Sequence, residues 1–268
     1  MHKFQRPTQR ELQLAFLPLL AWRAVCRPVF YGLEHVPKDR PLLFVGNHQI
    51  FGFLDAPLLF YELYLKKDIF LRSLGDHLHF MVPGWRELLH RSGVVDGTPE
   101  NCRALLAEGE CILVFPGGGR EVAKRKGEKY KLIWKERLGF VRMALEAGCT
   151  IVPFAAVGVE DWFEIVLDGD EILQSTFGWV LRKLGVPPYA VFPLTKGSQG
   201  FLPKPAQQLF YIAEPYETKG YKGQQDDEML CRSIRDEVQR RVEEGLELLQ
   251  ISLSNLSPNL VRPKPIGG

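Results

Sequence analysis

The hydrophobic pattern alternates between short apolar runs and longer amphipathic stretches. Pro41 to Val45 (PLLFV), Cys111 to Phe115 (CILVF) and Thr150 to Val157 (TIVPFAAV) are near-continuous apolar runs bounded by polar or glycine-rich turns. Runs of that length read as strands buried on both faces. Between them, Ala56–Leu65, Asn101–Ala107 and Arg137–Ala147 carry helical spacing. Asp55 is placed as the N-cap of the first, and Gly109 and Gly148 follow the other two. Ile172–Leu184 predicts one amphipathic helix, and Val186–Pro205, rich in proline, glycine and aromatics, predicts an irregular segment. Leu209–Ala213 predicts a late strand, and Asp226 to about Leu253 a long charged helix. Strands alternating with helices predict an α/β fold with a mixed, largely parallel sheet flanked by helices.

Three segments are expected: an apolar N-terminal helical stretch at 1–32, a main domain at 33–222, and a C-terminal helix and tail at 223–268. The first is interrupted by Pro18, Arg23, Arg27 and Pro28, too often for a membrane span. It reads equally as a helix packed on the core or one lying in a membrane interface. With a formal charge of +2, the chain gives no argument for nucleic acid. Its five cysteines are odd in number and contain no CxxC, which argues against a disulfide framework or zinc site and for a reducing compartment. His35, His77, His79 and His90 have no metal-ligand spacing, so no metal is expected; His77 and His79 would share one face of a strand.

In a parallel sheet, sites form beyond the carboxyl ends of strands. Two unusual polar stretches fall there: Asn47-His48 after the first strand and Pro116-Gly117-Gly118-Gly119-Arg120-Glu121 after the second. A histidine followed by an acid suits general base catalysis, and Asp55 also suits a plain helix cap. No GxSxG elbow is present. The triple glycine offers backbone N–H groups to an oxyanion or phosphate. The run Lys124–Arg137 holds seven lysines and arginines against two glutamates, a face for coenzyme A phosphates, anionic headgroups or solvent.

These blocks, in order, resemble the glycerolipid acyltransferases: Asn47-His48 with a following acid, Gly93-Val94-Val95, FPGGGRE at Phe115–Glu121, and Ile151-Val152-Pro153. The resemblance covers roughly Leu33 to Glu160 and is nearest to the monoacylglycerol/diacylglycerol acyltransferase-like branch, which includes phytyl ester synthases. It implies a glycerol-3-phosphate acyltransferase-like fold with His48 as general base and Asp55 as its acid. It also implies that Asn47, Phe115, Pro116, Gly117, Gly118, Gly119, Arg120 and Glu121 bind substrate. No cofactor is implied beyond the acyl donor, an acyl-CoA or acyl carrier protein. The partners implied are a lipid acceptor and a membrane surface. The expected location is peripheral, on a cytoplasmic face.

Three departures bear on the acceptor. Six residues, not four, separate His48 from Asp55; on a continuous helix that step spans about 10 Å. Either Gln49–Leu54 bends back, or another acid such as Glu121 partners His48. Gly117 and Gly119 stand where phosphate-using members read Glu and Thr in F-P-E-G-T-R. Pro99 stands where they often carry a phosphate-binding arginine. Without that arginine the resemblance favours a neutral acceptor, a mono- or diacylglycerol or a long-chain alcohol. The other readings are a lysophosphatidic acid acyltransferase and a non-catalytic lipid-binding protein.

Overall fold

The computed structural model describes residues 6–81, 83–84, 86–87, 89, 92–197 and 207–256. His90, the side chain of His79, and the parts of the predicted loop and tail at 198–205 and 257–268 lie outside them. Nine strands are present among these residues: β1 (Val29–Tyr31), β2 (Leu42–Gly46), β3 (Leu71–Gly75), β4 (Val95–Asp96), β5 (Cys111–Val114), β6 (Thr150–Val157), β7 (Phe163–Leu167), β8 (Leu194–Gly197) and β9 (Leu209–Ile212). The α-helices are α1 (Gln9–Cys26), α2 (Ala56–Lys67), α3 (His77–Phe80), α4 (Pro99–Ala107), α5 (Gly119–Val122), α6 (Gly139–Ala147), α7 (Gly169–Gln174), α8 (Thr176–Lys183) and α9 (Glu228–Leu256).

Seven strands form one sheet in the order β1-β9-β6-β2-β5-β3-β4. β6, β2, β5, β3 and β4 run parallel. β9 is antiparallel to β6, and β1 is parallel to β9. The sheet is therefore mixed and mostly parallel, as the apolar runs predict. Its centre is buried on both sides because successive side chains alternate. Leu43 and Val45 of β2 point into a core with Leu105 of α4, Val141 and Leu145 of α6, and Ile234 and Val238 of α9. Leu42 and Phe44 point the other way, toward Leu58, Leu59 and Leu63 of α2 and toward Cys26.

α9 buries Cys231, Ile234, Val238, Val242, Leu246 and Leu249, spaced by three or four, so one stripe faces the sheet. It comes close to β6: a Cβ placed on Gly245 would lie 2.9 Å from the Ala155 Cβ. Glycine is required here for room. α1 packs on α2 through Phe16 against Tyr61 and an Arg23–Glu62 ion pair of 2.5 Å. α9 thus covers one face of the sheet, Cys26 at the end of α1 joins the core on the other, and β1 adds a strand to the sheet edge. Among the described residues, no helix is long and apolar enough to cross a membrane.

Several expectations change. The single helix over Ile172–Leu184 is two, α7 and α8. Ser175 breaks it with an extended ψ of 168° and caps α8 by accepting from the Gly178 N–H. The segment after Asp161 is more regular than its composition suggests, since β7 and β8 pair as a separate antiparallel ribbon. His77 opens the short helix α3 and bonds Asp96 at 2.9 Å, so the shared strand face with His79 does not exist. All five cysteines are free and buried.

Candidate active site

Asn47 follows β2 and is buried, and both ends of its amide are engaged with β6. Its Nδ2 donates to Ala156 O at 2.9 Å, and its Oδ1 accepts from Ala156 N at 2.8 Å. Gln49, two residues on, accepts from Val159 N at 2.9 Å. Two side chains thus lash the outgoing end of β2 to that of β6. His48 lies between them with its ring on Phe115, at the outgoing end of β5. The rings are parallel, 3.7 Å apart at their centroids and 3° from coplanar orientation.

The chain after Gln49 bends back rather than continuing as a helix. Phe51 and Gly52 are both left-handed, with φ of 65° and 72°. The bend returns Asp55 to the start of the loop. Its Oδ2 accepts from Gln49 N at 3.3 Å and Gln49 Nε2 at 3.4 Å, and its Oδ1 from Ala56 N at 2.8 Å. Asp55 therefore caps α2 and closes the His48 loop together. Burial raises its carboxyl to about 6, against hydrogen bonds from Ala56 and Gln49. Gly52 also keeps one side of the imidazole clear: a Cβ there would lie 2.7 Å from both Cε1 and Nε2 of His48.

The second acid arrives from the other strand end. Glu121, fully buried on α5, accepts from His48 N at 3.2 Å through Oε2 and from Ile133 N at 3.3 Å through Oε1. Burial raises it to about 7, opposed by Lys124 and by those two N–H donors. The loop does bend back, as one alternative required, but these hydrogen bonds of the two acids go to backbone and to the Gln49 amide rather than to the imidazole. Asp55 holds the backbone just after the histidine, and Glu121 holds the histidine's own N–H.

The three glycines meet a different arrangement from a bare anion cradle. A Cβ on Gly117 would lie 2.3 Å from Glu121 Oε2, one on Gly118 2.9 Å from Arg137 Nη1, and one on Gly119 3.0 Å from the Tyr189 ring. The protein's own side chains fill those spaces. Gly118 also needs its hydrogen side chain for conformation, at φ 54° and ψ −151°. Pro116 O accepts from Arg137 Nη1 at 2.7 Å. Arg120 forms a two-pronged pair with Glu128, at 2.8 and 2.5 Å.

The basic run is divided: Lys126, Lys129, Lys131, Lys135 and Arg137 are exposed, while Lys124 and Arg125 are buried, and four of its cations are paired with acids. Lys124 is buried, donates to Lys131 O at 2.8 Å and pairs with Glu160 at 3.4 Å. Arg125 pairs with Asp170 at 3.1 Å, Lys126 with Glu171 at 2.7 Å, and Lys129 with Asp161. The acids that neutralise it lie at 160–171, too distant in sequence for a local charge count to find. Sequence reasoning also passed over Gln49, Gly52 and Glu160, and placed Lys124 on a surface face rather than in the interior. Only Gly52 leaves a local trace, as a glycine between two phenylalanines.

The loop that follows His48 carries an aromatic cluster. Phe51 meets Phe163 edge-on at 5.1 Å, Phe192 at 6.1 Å and Phe53 at 6.3 Å. Trp22 of α1 meets Trp162 at 5.0 Å and donates to Leu54 O at 2.9 Å, joining α1 to the same loop. Among the described residues, no group of three or more His, Cys, Asp or Glu is arranged to hold a metal ion.

The mixed sheet thus gathers a histidine and two buried acids at its strand ends. Residues 27–157 match the protein-family model described as Acyltransferase, so the chain carries an acyltransferase-family domain. Phytyl ester synthase 2, chloroplastic, of Arabidopsis thaliana is 31% identical over 249 residues, covering 83% of this chain and 34% of the plant protein. The DGAT1/2-independent enzyme synthesizing storage lipids of Homo sapiens is 29% identical over 171 residues, covering 61% of this chain and 49% of the human protein. The 1-acyl-sn-glycerophosphate (LPA) acyltransferase PlsC of Thermotoga maritima shares the fold, with a TM-score of 0.52 at 18% identity, over 90% of this chain and 87% of that one. The chain spans about a third of the length of the plant phytyl ester synthases.

Proposed function

We propose that this domain transfers a fatty acyl group from a thioester, acyl-CoA or acyl carrier protein, to the hydroxyl of a neutral lipid or long-chain alcohol at a membrane surface. His48 is the general base. As the acceptor oxygen attacks the thioester carbonyl, its proton passes to the imidazole. The tetrahedral intermediate then expels the thiolate, which recovers that proton from the imidazolium, giving an ester and a free thiol. Phe115 supports the charged state, because a cation over an aromatic face is stabilised. Asp55 fixes the loop that carries the base.

The observation that carries the neutral-acceptor reading is the state of Arg120. It is the cation retained from the phosphate-using pattern, and it is tied at both prongs to Glu128. A phosphate in a half-buried site needs a charge-assisted partner, and at Arg120 that partner is already taken. The cluster carried by the loop after His48 is phenylalanine, suited to an acyl chain. The relatives' names, phytyl ester synthase and storage-lipid enzyme, point toward the same acceptor class. Purified protein with oleoyl-CoA should acylate diacylglycerol or a fatty alcohol in preference to lysophosphatidic acid. A strong preference for lysophosphatidic acid would overturn the acceptor assignment.

For the membrane contact, two surfaces support the reading. α1 exposes Leu14, Leu17 and Leu20, and α8 and its end expose Phe177, Trp179 and Leu184 beside Arg182 and Lys183. Aromatic and apolar side chains beside basic ones suit a headgroup boundary.

A further inference from the structure

We propose that Glu121 is a positioning residue for His48, and that position 117 is glycine so that the Glu121 carboxylate can lie there. The inference rests on His48 as the base.

Glu121 joins three segments through two oxygens. Oε2 takes the backbone N–H of His48, after β2; Oε1 takes that of Ile133, in the strap between α5 and α6; and the residue itself sits after β5. The ring of His48 lies on Phe115, also after β5. The histidine is thus held twice against one strand end, by its backbone through Glu121 and by its ring through Phe115. Without the carboxylate, the His48 backbone loses its tie to this strand end, and the ring stack that remains there allows sliding.

Gly117 completes the arrangement. A Cβ there would lie 2.3 Å from Glu121 Oε2 and 2.6 Å from its Cβ and Cδ. Gly117 is not among the glycines with positive φ. Its backbone would accept a side chain, and space alone forbids one. The carboxylate reaching from 121 occupies the volume that a side chain at 117 would take. The oxygens of an aspartate lie two bonds from its Cβ, so Asp at 117 can put one where Oε2 now lies. Around this carboxylate stand Lys124 and Glu160 as the nearest charged groups, with the His48 backbone above. The local charge balance is kept only while one carboxylate is present.

The test is a carboxylate exchange. Glu121→Ala should lower kcat for acyl transfer about 30-fold or more while KM stays within about twofold, since a displaced catalytic group costs rate on the order of a hundredfold. The double variant Gly117→Asp/Glu121→Ala should recover about tenfold of that loss. Glu121→Gln, which keeps one acceptor oxygen, should fall between. Circular dichroism and thermal melting establish that each variant is folded. A folded double variant no faster than Glu121→Ala overturns the proposal. A readout without substrate separates this from failure of the proposed function. The rate at which diethyl pyrocarbonate modifies His48, followed by mass spectrometry, should change in Glu121→Ala and return toward the parent value in the double variant. An unchanged rate across all three variants overturns the positioning role, even if the parent protein proves to transfer no acyl group. If the parent shows no transfer while the modification rates follow the expected order, the positioning role stands and the base assignment falls.

Discussion

At the floor of the site, Asn47, Gln49, Asp55 and Glu121 send their polar atoms to backbone groups of neighbouring strand ends and loops. An outer apolar rim is formed by Phe53, in the loop after His48, and by Phe177, Trp179 and Leu184 on α8 and its end, each more than half exposed. The floor draws its order from within the chain, and a change there should alter rate or stability. The rim presents unburied apolar surface, and a change there should alter what the protein adheres to. In the proposed function, catalytic geometry belongs to the ends of the central sheet and membrane contact to exposed side chains outside it.

The largest break in that division should come from His48→Ala. Loss of a general base lowers kcat by about a thousandfold, measured as ester formation from oleoyl-CoA. Surviving transfer in this variant would remove His48 from the mechanism.

Gly52→Ala should follow. It forces a Cβ into a left-handed residue and within 2.7 Å of the ring edge. We expect kcat to fall tens of fold, with about 1–2 kcal/mol lost in denaturant unfolding. A fully active Gly52→Ala would show that the space beside Nε2 is not used.

The floor has an unfavourable aspect of its own, legible in the pH dependence of stability. Unfolded, Glu121 releases its proton near its ordinary value of 4.5; folded, it holds the proton until about 7. Between those values the folded state binds more protons, so stability from this group is full at low pH and declines as pH rises through 4.5 to 7. Asp55 acts in the same direction up to about 6. Glu121→Gln should therefore melt progressively above the parent as pH goes from 5 to 8, by about 2 kcal/mol. It should lose activity throughout. A gap that is constant with pH would mean that Glu121 does not titrate in this window.

The smallest effect on the folded protein should come from the rim. Phe177→Ser with Trp179→Ser should leave melting within about 0.5 kcal/mol, as exposed positions do. Flotation with anionic liposomes should nevertheless fall severalfold. Flotation equal to the parent's would take α8 out of the proposed membrane contact and leave α1, where removal of residues 1–30 tests it.

β2, β5 and β6 were legible because strands covered on both faces are written as unbroken apolar runs, and their ends marked the site. β3 was not, since Arg72 interrupts LRSLG, and neither were β1 and β4, which have only three and two residues. His48 could be found from its place after a strand. Its two acids could not be sorted by counting residues. The answer depended on two left-handed residues at 51 and 52, one of them a phenylalanine, which nothing local predicts. The basic run misled for a related reason: its charge was local, whereas its counter-charges were not.

One consequence concerns Gly245, on the opposite side of the sheet from α2. α9 rests so near β6 that even a methyl group at 245 would strike Ala155. Ala156, the next residue, is the one that Asn47 grips on both sides. The spacing between those two layers is therefore passed along β6 to the loop bearing His48. Under the proposed function, sequence drift on the back of the molecule would retune the base without touching any residue around it, with Gly245 as a shim beneath the His48 loop.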